Sequence, residues 1–261
     1  MIKSVFFDID GTLISFKTHK MPESTKKALN LLREKGIKLF IATGRSPYAL
    51  PAIKNILDFQ FDGYVMLNGQ YCIIDDKVIR DEALPTNSIK SILPYMEKEK
   101  ISCEFVEIDY SYLNFENERV LELRKFLGNT VNEHPMENPE RSLKNKTYQL
   151  CAYIKDYEEK EYFENMPNCR GVRWNPLFVD VIPENGGKAV GIEKLLNHLG
   201  YSKDETMAFV DGGNDIEMLE YVKIGVAMGN AGDIVKKSAD YITDDVDSDG
   251  IYSALIHFNV I

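Results

Sequence analysis

Short apolar runs separated by amphipathic stretches open the chain. Val5-Phe6-Phe7 is uninterruptedly apolar, as in a strand buried on both faces of a parallel sheet. Over 22–35, Ala28, Leu29, Leu31 and Leu32 cluster at helical spacing, and Gly36 supplies the stop. A second strand is expected over 37–42. Ser46-Pro47 then reads as the opening of a helix, with serine as cap and proline in the first turn. A third strand follows over 64–67, and then a hairpin of 71–74 with 78–79 that turns at Asp75-Asp76.

The rhythm changes over 83–183. A helix over 86–100, kinked or divided at Pro94, precedes strands over 102–108 and 110–115 and a helix over 118–126. The polar segment 129–146, with Pro135 and Pro139, reads as an exposed connection. A strand over 147–154, an acidic helix over 156–165 and strands over 172–174 and 178–182 complete this part. Strands and helices that do not alternate strictly predict an α+β module with an antiparallel sheet. Alternation then returns, with helices over 187–198, 214–222 and 231–238 and strands over 207–210, 224–227 and 241–242. The fold class predicted is α/β: a doubly wound parallel-sheet core formed by 1–82 and 184–261, with an α+β domain of 83–183 inserted in it.

Composition narrows the possibilities. At 261 residues, the chain suits two cores better than one. The 44% hydrophobic and 28% charged residues match a soluble globular protein, and no run approaches the roughly 20 apolar residues of a membrane span. The first residues lack the pattern of a secretory signal, so a cytoplasmic location and no membrane partner are expected. Cys72, Cys103, Cys151 and Cys169 are scattered, and the histidines are dispersed, which speaks against disulfides and zinc. The net charge of −10 argues against a nucleic-acid partner. It would also repel a phosphorylated ligand, so any phosphate site must concentrate positive potential locally.

Four segments could do so. Asp8-Ile9-Asp10-Gly11-Thr12 directly follows the first strand, and Asp211-Gly212-Gly213-Asn214-Asp215 directly follows the strand over 207–210. Ligands of open α/β sheets bind at the carboxyl ends of strands, where both acid-rich turns fall. Either alone would also serve as an ordinary polar turn; two together point to carboxylates for a hard cation. Thr43-Gly44-Arg45 offers a hydroxyl and N–H groups after the second strand. Lys188 stands in the first turn of a helix behind Gly186-Gly187, where it opposes the helix dipole. An anion at that helix end would reconcile lysine and dipole; a solvated surface lysine is the alternative.

In combination these segments resemble the motifs of the haloacid dehalogenase superfamily, and most closely its Cof-type phosphatases, over the whole chain. Asn68-Gly69 also matches a turn found near the site in such proteins. The resemblance implies that Asp8 is the nucleophile and that Asp10 acts as general acid, then as general base. It implies Mg2+ held by the Asp8 carboxylate, the Asp10 main-chain carbonyl and the Asp211 carboxylate, with Asp215 one shell further out. Thr43, Gly44, Asn214, Lys188 and the Ile9 main-chain N–H would hold the phosphoryl oxygens. The inserted domain would act as a mobile cap carrying specificity, with Glu104, Glu107, Arg119, Arg124 and Asn175 among its candidate polar residues. The implied substrate is a small phosphorylated metabolite, foremost a hexose phosphate. A phosphomannomutase-like phosphotransferase and a non-catalytic sugar-phosphate-binding regulator are the alternatives. Oligomeric state is left open, a monomer being the simplest form.

Overall fold

The structure is a computed structural model, and it describes residues 1–127 and 134–261. The residues divide into two compact units. The first comprises Met1–Arg45, Ala49–Asp81 and Gly187–Ile261; the second comprises Ser46–Tyr48 and Glu82–Gly186.

In the first unit an eight-stranded sheet forms from β1 (Ser4–Phe7), β2 (Lys38–Ala42), β3 (Gly63–Met66), β4 (Tyr71–Ile74), β5 (Lys77–Asp81), β11 (Thr206–Val210), β12 (Ile224–Ala227) and β13 (Tyr241–Ile242). The order is β13-β12-β11-β1-β2-β3-β4-β5, parallel from β13 to β3. β4 pairs antiparallel with both β3 and β5, and left-handed Asp75 and Asp76 (φ 47° and 62°) make the tight turn of the β4–β5 hairpin. Period-two alternation sends Val5 and Phe7 to one face and Phe6 to the other. On the first face α1 (Glu23–Glu34), α2 (Leu50–Leu57) and α9 (Gly250–His257) bury Leu29, Leu32, Ile53, Leu57, Ile251 and Leu255. On the second, α6 (Lys188–Leu199), α7 (Ile216–Tyr221) and α8 (Asp233–Ser238) bury Ile192, Leu195, Met218, Leu219 and Val235. Stacked rings tie neighbouring strands, Phe6 on Phe40 at 5.0 Å and Phe7 on Phe209 at 5.4 Å. The chain leaves β1 towards β2 and comes back on its other side as β11. The carboxyl ends of β1 and β11 therefore form the switch point where an open sheet offers a crevice.

The second unit has an antiparallel sheet of β6 (Cys103–Val106), β7 (Ser111–Leu113), β8 (Gln149–Ala152), β9 (Cys169–Asn175) and β10 (Phe178–Pro183), ordered β7-β6-β8-β10-β9. One face packs on α3 (Thr86–Glu99) and α5 (Glu159–Glu164) through Ile89, Ile92, Met96 and Tyr162. The other receives α4 (Glu118–Leu127) through Val120 and Leu123.

Several local expectations are corrected. Pro94 sits inside α3 without dividing it. The Ser46-Pro47 signal opens a 3-10 turn, Pro47–Ala49, before α2 begins. The expectation of an exposed connection over 129–146 lies outside the described residues at 129–133. Beyond them, Pro139–Leu143 is a 3-10 helix that buries Ser142 and sends Arg141 to clamp Glu107 through bonds of 2.8 and 3.0 Å. Helix α9 has no counterpart among the expected elements.

Candidate active site

The site grows from the ends of buried strands. Asp8 leaves β1 with its N–H donating to the Phe209 carbonyl at 3.1 Å, which ties the first acidic turn to β11. The turn then closes on itself, the Ile9 carbonyl accepting from Leu13 N–H at 3.0 Å and from Ile14 N–H at 2.8 Å. Gly11 is left-handed (φ 85°), and a Cβ there would lie 2.2 Å from Asp211 Oδ2. Only glycine lets the two acidic turns approach so closely. Thr12 completes the join, its hydroxyl donating to Asp211 Oδ1 at 2.7 Å. Asn230 supports the same turn by donating to the Gly11 carbonyl at 2.8 Å.

Lys188, first residue of α6, is buried with Nζ 2.7 Å from Asp8 Oδ1 and in contact with Asp215 Oδ1. It is not a surface lysine. Burial works against its charge, but Asp215 and Asp8 outweigh that and raise its pKa above the ordinary lysine range. Arg45 grips Asp10 bidentately, Nε donating to Oδ2 at 3.0 Å and a terminal nitrogen to Oδ1 at 2.9 Å. Asp10 has 43% of its side chain exposed, against 14% for Asp8. Thr43 is buried after β2, and the amide of Asn214, in the 3-10 turn Gly213–Asp215, donates to Asn68 Oδ1 at 3.2 Å. Asp8, Ile9, Asp10, Thr43, Gly44, Asp211, Asn214 and Asp215 thus fall at the carboxyl ends of β1, β2 and β11, Lys188 at the start of α6, and Asn68-Gly69 in the turn after β3. The sequence reading assigned no role to the Arg45 clamp, the Thr12 tie or the Asn230 support. The Thr43-Gly44-Arg45 string carried a signal for the first; the others depend on contacts distant in sequence.

Three carboxylates, Asp8, Asp211 and Asp215, share this pocket with one ammonium. Burial, aided by the negative charge of Asp215, pushes Asp8 up to about 7 although Lys188 pulls it down. Burial and the charge of Asp8 push Asp211 up to about 8. Burial also raises Asp215, whose Oδ2 has no hydrogen-bond partner among the described residues. Among those residues no group of three or more His, Cys, Asp or Glu side chains could hold a metal by itself. A hard cation fits the donors nonetheless: excess buried carboxylate, an orphaned oxygen and main-chain carbonyls, with water filling the other positions, suit Mg2+.

This crowding has a measurable consequence. Acids whose folded pKa is raised bind more protons folded than unfolded between about pH 4 and 8, so the site's stability contribution is lost as pH rises through that window. A divalent cation competes with those protons. The rise in melting temperature on adding Mg2+ is therefore expected to be larger at pH 8 than at pH 5, read by calorimetry; an equal rise at both would contradict the carboxylate site.

In the second unit, the polar residues considered for specificity already have partners. Arg119 bonds Glu158 and the Tyr153 carbonyl, Arg124 pairs with Glu116, Asn175 Oδ1 accepts from Leu177 N–H, and Glu104 lies 3.5 Å from His134. With Glu107 held by Arg141, all five have evident structural roles.

Comparison with known proteins agrees with this geometry. A family description of haloacid dehalogenase-like hydrolases matches residues 5–255. YkrA of Bacillus subtilis strain 168, provisionally named a phosphatase, is 36% identical over 97% of this chain and 96% of its own length. Among solved structures, the subclass IIB sugar phosphatase BT4131 is 40% identical with a TM-score of 0.88, covering 99% of this chain and 100% of that one. The phosphatase BT1666 of Bacteroides thetaiotaomicron is 35% identical with a TM-score of 0.92, covering 100% and 96%. A doubly wound sheet with paired acidic turns at its switch point, matched over nearly the whole chain, places this protein in the haloacid dehalogenase-like hydrolase family.

Proposed function

We propose that this chain, a phosphatase among the haloacid dehalogenase-like hydrolases, hydrolyses small phosphorylated metabolites, hexose phosphates foremost, through an aspartyl-phosphate on Asp8. The observation that carries the reading is the buried Lys188 between Asp8 and Asp215, one loop from Asp10. A lysine there supplies the local positive charge that a chain of net charge −10 needs in order to attract a phosphate. A hexose phosphate is favoured by the likeness to a sugar phosphatase, and the substrate's selection is assigned to the unit formed largely by 82–186.

The chemistry balances on this chain's own groups. An Asp8 carboxylate oxygen attacks phosphorus in line, the bond from phosphorus to the sugar oxygen breaks, and Asp10 gives that oxygen its proton. Asp10 then takes a proton from water, whose oxygen attacks phosphorus and releases inorganic phosphate and the free Asp8 carboxylate. Both Asp10 oxygens accept from Arg45 in this structure, so proton delivery requires the clamp to open. Lys188, Thr43 Oγ1, the Asn214 amide and the main-chain N–H groups of Ile9 and Gly44 orient the phosphoryl oxygens. Mg2+, which Asp8, Asp211 and the Asp10 carbonyl would hold with Asp215 behind them, would neutralise phosphoryl charge when bound.

Two experiments test this. Incubation with a panel of hexose phosphates is expected to release inorganic phosphate; isomerised sugar would indicate a phosphotransferase, and no turnover a sensor. EDTA is expected to abolish activity, with Mg2+ restoring it and Ca2+ doing so poorly, because Ca2+ prefers more ligands in a looser shell. Full activity after thorough chelation would rule out the metal. Among the described residues no helix is long and apolar enough to cross a membrane, and a cytoplasmic site of action, where phosphorylated sugars reside, belongs to the proposal.

A further inference from the structure

One turn in the first unit touches three of the four loops that build the site. After β3 the chain passes through Leu67 and Asn68, both left-handed (φ 53° and 50°), and then Gly69 (φ 95°). A leucine in that region is rare and persists only where its surroundings impose it. Here they do so by direct bonds. Leu67 N–H donates to the Arg45 carbonyl and Asn68 N–H to the Thr43 carbonyl, each at 3.1 Å. At Gly69 the backbones come so close that a Cβ would lie 2.1 Å from the Gly187 carbonyl oxygen, beside Lys188. The Asn68 side chain, only 1% exposed, covers Gly44, where an added Cβ would meet its Nδ2 at 3.2 Å. Its Oδ1 accepts from Nδ2 of Asn214 at 3.2 Å.

We infer that Asn68 is a positioning residue that fixes the orientation of the Asn214 carboxamide and thereby the donor edge it presents to a phosphoryl oxygen. This rests on the reading of Asn214 as a phosphoryl ligand. The terminal torsion of an asparagine is broad and nearly two-fold, so the amide can rotate half a turn at little intrinsic cost. Its two edges are opposite in character, two N–H donors against a carbonyl acceptor. A flipped Asn214 would turn an acceptor towards an anion. Asn68 Oδ1 can bond only the nitrogen edge, and a flip would set two carbonyl oxygens against each other. Asn68 is buried and Asn214 half-buried, so water reaches the contact only from the Asn214 side.

Asn68→Gly isolates the side chain, since glycine keeps the left-handed backbone without steric cost. The cycle compares wild type, Asn68→Gly, Asn214→Ala and the double variant. It reads kcat and KM for p-nitrophenyl phosphate and the inhibition constant of inorganic phosphate. Each single change is expected to lower kcat/KM by roughly 10–100-fold and to weaken phosphate binding, the size of one lost hydrogen bond to a charged group. The double variant should match Asn214→Ala within about twofold, because a residue acting through another adds nothing once that partner is gone. The melting temperature of Asn68→Gly should stay near that of wild type. Losses that multiply in the double variant would overturn the inference, as would an Asn214→Ala protein with wild-type kinetics. An inert wild type would refute the phosphatase reading itself, whereas multiplying losses in an active enzyme refute only the role of Asn68. Should glycine loosen the turn, Asn68→Ala carries the same cycle.

Discussion

Asp8→Asn is expected to lower turnover of any phosphomonoester by roughly 10³–10⁵-fold while leaving the fold intact. The amide is nearly isosteric with the carboxylate but cannot attack phosphorus. In a rapid acid quench with labelled substrate, the wild type should carry a hydroxylamine-sensitive acyl phosphate that the variant lacks. The same change has a second, opposite effect. Asp8 is one of three carboxylates crowded around Lys188, and burial with the charge of Asp215 lifts its pKa to about 7. A neutral side chain relieves that repulsion and leaves Lys188 its contact with Asp215. In EDTA at pH 8 the variant should therefore melt no lower than the wild type. Loss of the fold together with activity would assign Asp8 a structural role instead, and substantial activity in a clean preparation would falsify the covalent route.

Lys188→Met is expected to damage both chemistry and stability. Its ammonium is wholly buried between Asp8 and Asp215, and removing one partner of a buried ionic group leaves uncompensated charge worth about 3–5 kcal/mol. At the size of this chain that corresponds to a fall in melting temperature of roughly 6–20 °C. The loss should depend on pH in a definite sense. Without the lysine, Asp8 and Asp215 titrate still higher than they do beside it, so the folded state holds protons that the unfolded state releases near pH 4. Destabilisation then grows as pH rises, small at pH 5 and large at pH 8, and calorimetry at both values reads the difference. Turnover should fall by about 10³-fold or more, since the proposed phosphoryl site loses a buried cation. A variant as stable as wild type at pH 8 and within tenfold of its activity would show that the buried triad neither stabilises nor catalyses.

The sequence by itself determined the strands and the acidic turns that end them. Val5-Phe6-Phe7 and the apolar run ending at Val210 can be buried only in a sheet covered on both faces, and each ends in an acidic turn. Chain order alone therefore puts Asp8, Asp10 and Asp211 at the sheet's carboxyl end. The change of rhythm over 83–183 likewise announced an antiparallel sheet, because alternation of strand and helix is a local property. Motif spacing singled out Lys188, with two readings open, a lysine facing an anion at the helix end or a solvated one. Only the tertiary structure excluded the solvated one, since the burial of a lysine depends on which acids meet it from other loops. The same holds for Arg45 on Asp10, Thr12 on Asp211 and Asn68 on Asn214, pairs separated by 35, 199 and 146 positions. Arg141 shows the limit most plainly: in a polar, proline-containing stretch it looked exposed, yet it clamps the buried Glu107. Hydrophobic periodicity reports which face of an element is dry. Partners for polar groups are chosen across the fold, where chain separation carries no signal, so the sequence determined the candidate groups and folding alone decided what holds each in place.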